Sequence, residues 1–112
     1  MATGEKLNEL LQLLQLEQIE ENIFRAQHPA GRRGRLYGGQ IMAQALMAGG
    51  RTVSDSLNVH SLHGYFLRPG DPKVPAVIRV ERARDGRSFA PRRILVTQRG
   101  EAIFNMDASF QI

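Results

Sequence analysis

Gly38-Gly39-Gln40-Ile41-Met42-Ala43-Gln44-Ala45-Leu46-Met47-Ala48-Gly49-Gly50 is the stretch on which the reading of the fold turns. Two glycines open it and two close it, and between them only Gln40 and Gln44 are polar. Residues four apart share one helical stripe, so every other direction around this segment is apolar. Such a helix predicts burial on nearly all sides. It is too short for a bilayer, which needs roughly 20 apolar residues. Other parts of the chain have to wrap it, and residues 57–112 read mostly as strand.

Downstream, residues 57–68 form an apolar and aromatic run that ends at Pro69-Gly70-Asp71-Pro72, a turn by composition. Residues 74–84 alternate, with Val74, Ala76, Ile78 and Val80 on one face and Arg79 and Glu81 on the other. Asp85-Gly86 predicts a tight hairpin, and residues 88–98 return with Ile94 and Val96 opposite Leu95 and Thr97. Arg99-Gly100 turns once more. The last strand places Ala102, Phe104, Met106, Ala108 and Phe110 on one side. Ile103, Asn105, Asp107, Ser109 and Gln111 fall on the other.

Upstream, Leu7, Leu10, Leu11 and Leu14 predict an amphipathic helix over residues 5–16, with Thr3 as N-cap. Residues 18–27 read as one short strand. Residues 28–37 read as a loop containing three arginines. Gly49-Gly50 reads as the C-cap of the central helix. The expectation is α+β: one antiparallel sheet, apolar on one face, curled around a single buried helix. Its open edges call for pairing with a second sheet.

The chain has 112 residues, 42% hydrophobic and 23% charged, which bounds it to one globular domain over residues 1–112. It has no cysteine, so disulfides and thiolate metal sites are excluded, and a cytoplasmic setting fits. No secretory leader is read at the N-terminus. Net charge is +4, with 13 arginines and two lysines. The arginines are spread from Arg25 to Arg99, and the first 21 residues lean acidic. That favours a site for phosphate or another anion over a general nucleic-acid surface, which would also need interleaved aromatic residues. There is no P-loop, metal-ligand spacing or nucleophile elbow, and no cofactor is expected.

Four motifs carry a family resemblance. Leu-Tyr-Gly-Gly-Gln-Ile-Met-Ala-Gln-Ala-Leu (36–46), Val-His-Ser-Leu-His-Gly-Tyr-Phe-Leu-Arg-Pro-Gly-Asp-Pro (59–72), Arg-Asp-Gly-Arg-Ser-Phe (84–89) and Ala-Ser-Phe-Gln (108–111) resemble the acyl-CoA thioesterase II family. The match is to its N-terminal hotdog domain, in order, from about Leu10 onward. The resemblance implies a hotdog fold, hydrolysis of acyl-CoA to free acid and CoA, and a double-hotdog enzyme about twice this length. It also implies that an Asp, a Thr or Ser, and a Gln of the second hotdog position the attacking water. At the matching places this half holds Gln40, Val59 beside His60, and Gln111. Gln40 is no base and Val59 holds no water, so this half looks like the support half of a site.

On that reading Gln40, His60 and Gln111 are the candidate catalytic positions. Gly38, Gly39, Met42, Leu46 and Arg68 are the candidate substrate contacts. The helix start would offer backbone N–H donors to a thioester carbonyl, with the acyl chain along Met42 and Leu46. Simpler roles stand beside these. Gln40 could be a cap, and His60 a packed strand residue. On a regular strand His60 and His63 would face opposite ways. Arg68 could close a local ion pair in its turn, and the arginines of 79–99 could form a solvated sheet face or hold CoA phosphates. Partners expected are acyl-CoA and either a second copy or a second hotdog domain, with no nucleic acid and no membrane. Non-catalytic binding of acyl-CoA, or a role in assembly only, is the alternative function.

Overall fold

The computed structural model describes residue 8, residues 11–27 and residues 38–112. The expected arginine loop at 28–37 and much of the expected first helix lie outside these; residues 11–13 are helical. Six strands form one antiparallel sheet: β1 (Glu17–Glu20), β2 (Ile23–Ala26), β3 (Asn58–Phe66), β4 (Ala76–Arg82), β5 (Phe89–Gln98) and β6 (Glu101–Gln111). Their order across the sheet is β1-β2-β4-β5-β6-β3. The helix α1 (Gly38–Gly50) packs against β4, β5, β6 and β3. The α+β arrangement is the expected one. The expected single strand at 18–27 is instead a small hairpin, β1 and β2, turned at Glu21-Asn22.

Alternation explains the sheet. Ala76, Ile78 and Val80 on β4, Ala90, Ile94 and Val96 on β5, and Phe104, Met106, Ala108 and Phe110 on β6 are buried beneath α1. Ile103 breaks the pattern, being buried although it falls on the polar side of the count. Thr97 pairs with Ala102 while Val96 pairs with Phe104, so Ile103 is the extra residue of a bulge. The β5–β6 hairpin is the tight one, because Arg99 (φ 50) and Gly100 (φ 78) supply the two positive φ values of a two-residue hairpin turn. Asp85-Gly86 does not form such a turn. β4 and β5 are joined by six residues, 83–88, and the exposed Asp85 there pairs with a buried arginine.

The helix is less enclosed than its composition suggests. Ile41, Ala45, Ala48 and Gly49 face the sheet, and both glutamines are buried, whereas Met47 is 41% exposed. Gln44 donates from Nε2 to the Leu13 carbonyl at 2.8 Å, so the polar stripe is covered by the N-terminal segment. Gly49 is there for contact rather than as a left-handed cap. A Cβ on it would lie 2.7 Å from Ile94 Cδ1. The cap is Thr52, whose Oγ1 donates to the Gly49 carbonyl at 2.7 Å.

Candidate functional site

The direction of α1 decides which candidate residues meet. Gly38, at its start, lies against the Phe66 ring, with 3.1 Å from that ring to the position of a Cβ. Gly49 and Gly50, at its end, lie against Phe110. Phe110 pairs with Val59, and Phe66 with Phe104. The helix therefore runs antiparallel to β3, with the Phe66 end at its start and the Val59 end at its finish. Thirteen residues rise about 18 Å.

Gln40 thus stands at one end of the helix and His60 and Gln111 at the other. The strand segment that passes the helix start carries Phe66, not His60. Asn58 pairs with Gln111, and Gln111 with Phe89, so the polar groups of the far end are neighbours of one another. Within this chain the three candidate catalytic positions are not brought together. Gln40 is buried and not without a partner. Among the substrate candidates, Gly38 sits under Phe66, Gly39 is exposed, and Met42 and Leu46 are half-buried along the core. Those four and Gln40 share the helix start and its flank.

A bulge also changes the histidine pair. Val59 pairs with Phe110 and Ser61 with Ser109, which leaves His60 as the extra residue. Past it the parity shifts, and His63 pairs with Asp107 on the face away from α1. By register both histidines lie on that outer face, not on opposite ones. Arg68 is not paired within its own turn. Its Nε lies 3.3 Å from Glu101 Oε2 and its Nη1 donates to the Ala102 carbonyl at 2.7 Å. Asp71 instead turns to Gln98 and Lys73, accepting the Lys73 N–H at 2.9 Å.

Arg92, expected on a solvated face, is 1% exposed. Its five N–H groups are all used. Nε donates to Thr52 Oγ1 at 2.7 Å, and Nη2 to the Thr52 carbonyl at 2.9 Å and Asp85 Oδ1 at 2.5 Å. Nη1 donates to the Arg84 and Pro91 carbonyls, each at 3.1 Å. A guanidinium fork is the one side chain able to hold two loops in this way. Its sequence signal was slight: parity with Ile94 and Val96 puts position 92 on the core face.

The buried polar side chains among the described residues are Gln40, Gln44, Thr52, Arg92 and Gln98. None is a carboxylate or an imidazole, so no buried general base stands among the described residues. No group of His, Asp or Glu among the described residues is placed to hold a metal. No helix among them is long and apolar enough to cross a membrane.

β3 is an edge strand, bonded only to β6. It carries exposed Val59, Leu62, Tyr65 and Phe66, followed by exposed Leu67. Phe66 is 51% exposed, because no strand lies beyond it. A long apolar edge of this kind is a pairing surface.

Known proteins share this arrangement. Acyl-coenzyme A thioesterase 8 of Mus musculus is 50% identical over 102 residues, 88% of this chain and 31% of that protein. Acyl-CoA thioesterase 2 of Haemophilus influenzae is 39% identical over 106 residues, 95% of this chain and 37% of that protein. The chain thus spans about a third of the length of the curated relatives it matches. The crystal structure of acyl-CoA thioesterase II TesB2 from Mycobacterium marinum superposes with a TM-score of 0.83 at 48% identity, covering 91% of this chain and 37% of that one. The E. coli PaaI protein superposes at 0.75 with 12% identity, covering 99% and 93%, and shows the fold alone. That fold is the hotdog. A family model for the acyl-CoA thioesterase N-terminal domain matches residues 26–111, and the chain belongs to that family.

Proposed function

We propose that residues 1–112 are one hotdog unit, the N-terminal half of an enzyme that hydrolyses acyl-CoA to free acid and CoA. In this reading the unit binds and supports while a second hotdog supplies the chemistry. The observation that carries it is the set of buried polar side chains, which contains amides, a hydroxyl and a guanidinium but no carboxylate or imidazole among the described residues. Water attack on a thioester needs a base within hydrogen-bond reach. The start of α1 can still serve, because the positive end of its dipole suits a polarised carbonyl. Met42 and Leu46 would then line the acyl chain.

The partner is a second hotdog, in the same protein or in another copy, paired along β3. A role in fatty acid metabolism and a cytoplasmic setting accompany this reading, the latter in keeping with the absence of cysteine. The alternative is a unit that binds acyl-CoA or assembles without any catalysis, which the missing base also favours. Turnover of medium- and long-chain acyl-CoA by the 112-residue chain, compared with a longer chain that includes a second hotdog, separates them. The expected result is slow hydrolysis by the short chain and fast hydrolysis by the long one. Robust turnover by the short chain would sink the support role, and none by the long chain would favour the alternative.

A further inference from the structure

The six-residue connection between β4 and β5 is held on three sides. Arg92 donates to the Arg84 carbonyl and the Asp85 carboxylate. Gly86 donates its N–H to the Phe89 carbonyl at 3.0 Å, and Ile112 donates its N–H to the Ser88 carbonyl at 3.1 Å. Asp85 is the only acid in this connection, and its charge is met by the buried Arg92 guanidinium. The side chains of Arg84 and Arg87 are left exposed with no ion pair or side-chain hydrogen bond among the described residues. Elsewhere the arginines are mostly engaged: Arg25 by Glu17, Arg68 by Glu101, Arg82 by Glu21 and Asn22, and Arg93 by Asp107.

We infer that this connection is an anion site, in which Arg84 and Arg87 hold phosphate groups of the nucleotide portion of CoA. Two guanidinium forks on a loop already fixed suit phosphate oxygens, and little ordering cost remains at binding. The loop leads into Phe89, whose strand partner is Gln111. It therefore sits at the sheet end where Asn58, His60 and Gln111 gather, opposite the start of α1. CoA entering there would lie with its phosphates at the finish of the helix. The identity of the anion rests on the acyl-CoA reading above, whereas the site itself does not.

The test is calorimetry of the 112-residue protein with CoA and, separately, with inorganic pyrophosphate. Wild type is compared with the double variant Arg84→Ala/Arg87→Ala, and with Arg79→Ala, which removes an exposed arginine, unpaired among the described residues, from the outer sheet face. Thermal melts accompany each. The double variant should bind both ligands at least about tenfold more weakly with an unchanged melt, while Arg79→Ala binds as wild type. A double variant that binds CoA like wild type overturns the inference, and so does an equal loss in Arg79→Ala, which would mean diffuse charge. No binding of either ligand to wild type overturns it as well. Pyrophosphate held through Arg84 and Arg87 without any binding of CoA would uphold the anion site and overturn the acyl-CoA reading.

Discussion

Arg92 donates from Nε to Oγ1 of Thr52 at 2.7 Å, and that hydroxyl donates onward to the Gly49 carbonyl at the end of α1. The two contacts tie a central strand to the helix finish through a single hydroxyl. A cation near a helix C-terminus also suits the dipole. The same guanidinium fixes the β4–β5 connection through Arg84 and Asp85. One residue thus sets the relation of two loops that frame one end of the sheet.

Arg92→Met should therefore be destabilising, by about 1–3 kcal/mol, the usual cost of leaving buried acceptors such as the Thr52 hydroxyl and carbonyl without their donor. Arg92→Lys should not rescue it, because an ammonium cannot span both loops. Urea unfolding of both variants checks this. A loss below about 1 kcal/mol would mean that water replaces the fork at little cost.

Gly49 tests the contact between helix and sheet. Alanine should gain about 0.8–1 kcal/mol of helix propensity. Its Cβ would stand 2.7 Å from Ile94 Cδ1, in a core where Ile94 is 0% exposed. Overpacking costs about 1–3 kcal/mol, so Gly49→Ala should destabilise overall. In an Ile94→Val background the offending methyl is gone and the same change should be neutral or favourable. Denaturation of all four proteins in the cycle gives the answer, and equal effects in both backgrounds would refute the contact.

The β3 edge should make the protein self-associate at tens of micromolar. Leu62 is the middle residue of Asn58–Phe66, so a two-fold pairing of this edge would set Leu62 near its own copy. Leu62→Lys then places like charges together and should shift the protein toward monomer, as lysines do on natural edges. Sedimentation equilibrium of both proteins measures it. A wild type that stays monomeric would count against the pairing.

The sequence made some of this legible and hid the rest for physical reasons. Alternation on β4, β5 and β6 reports burial directly, so the core face and the helix over 38–50 could be read off. Bulges cannot be read that way, since each inserts one residue and reverses parity beyond it. Ile103 and His60 were misplaced on that account. Gly49-Gly50 looked like a cap because glycine signals both positive φ and close approach, and only the Ile94 contact tells which applies. The direction of α1 along β3 is a tertiary fact. The resemblance set Gln40 and His60 in one candidate site, and the packing of Gly38 on Phe66 and Gly50 near Phe110 separates them within this chain.

Gln44 gives the last prediction. It is 2% exposed, and its Nε2 donates to the Leu13 carbonyl at 2.8 Å, across 31 residues of sequence. A buried carbonyl that loses its donor costs about 1–3 kcal/mol. Gln44→Ala should therefore destabilise by that amount and loosen the segment from Leu11 to Gln15 in particular. Leu16 belongs to the core cluster, and Arg51 donates to its carbonyl at 3.0 Å. Detachment at Leu13 should for that reason stop short of Leu16 while Arg51 holds. Hydrogen exchange resolved by residue distinguishes the cases: the expected change is faster exchange over 11–15 with β5 and β6 unaffected. Uniform acceleration through the sheet would instead make Gln44 a general core residue, and the N-terminal segment would owe it no special attachment.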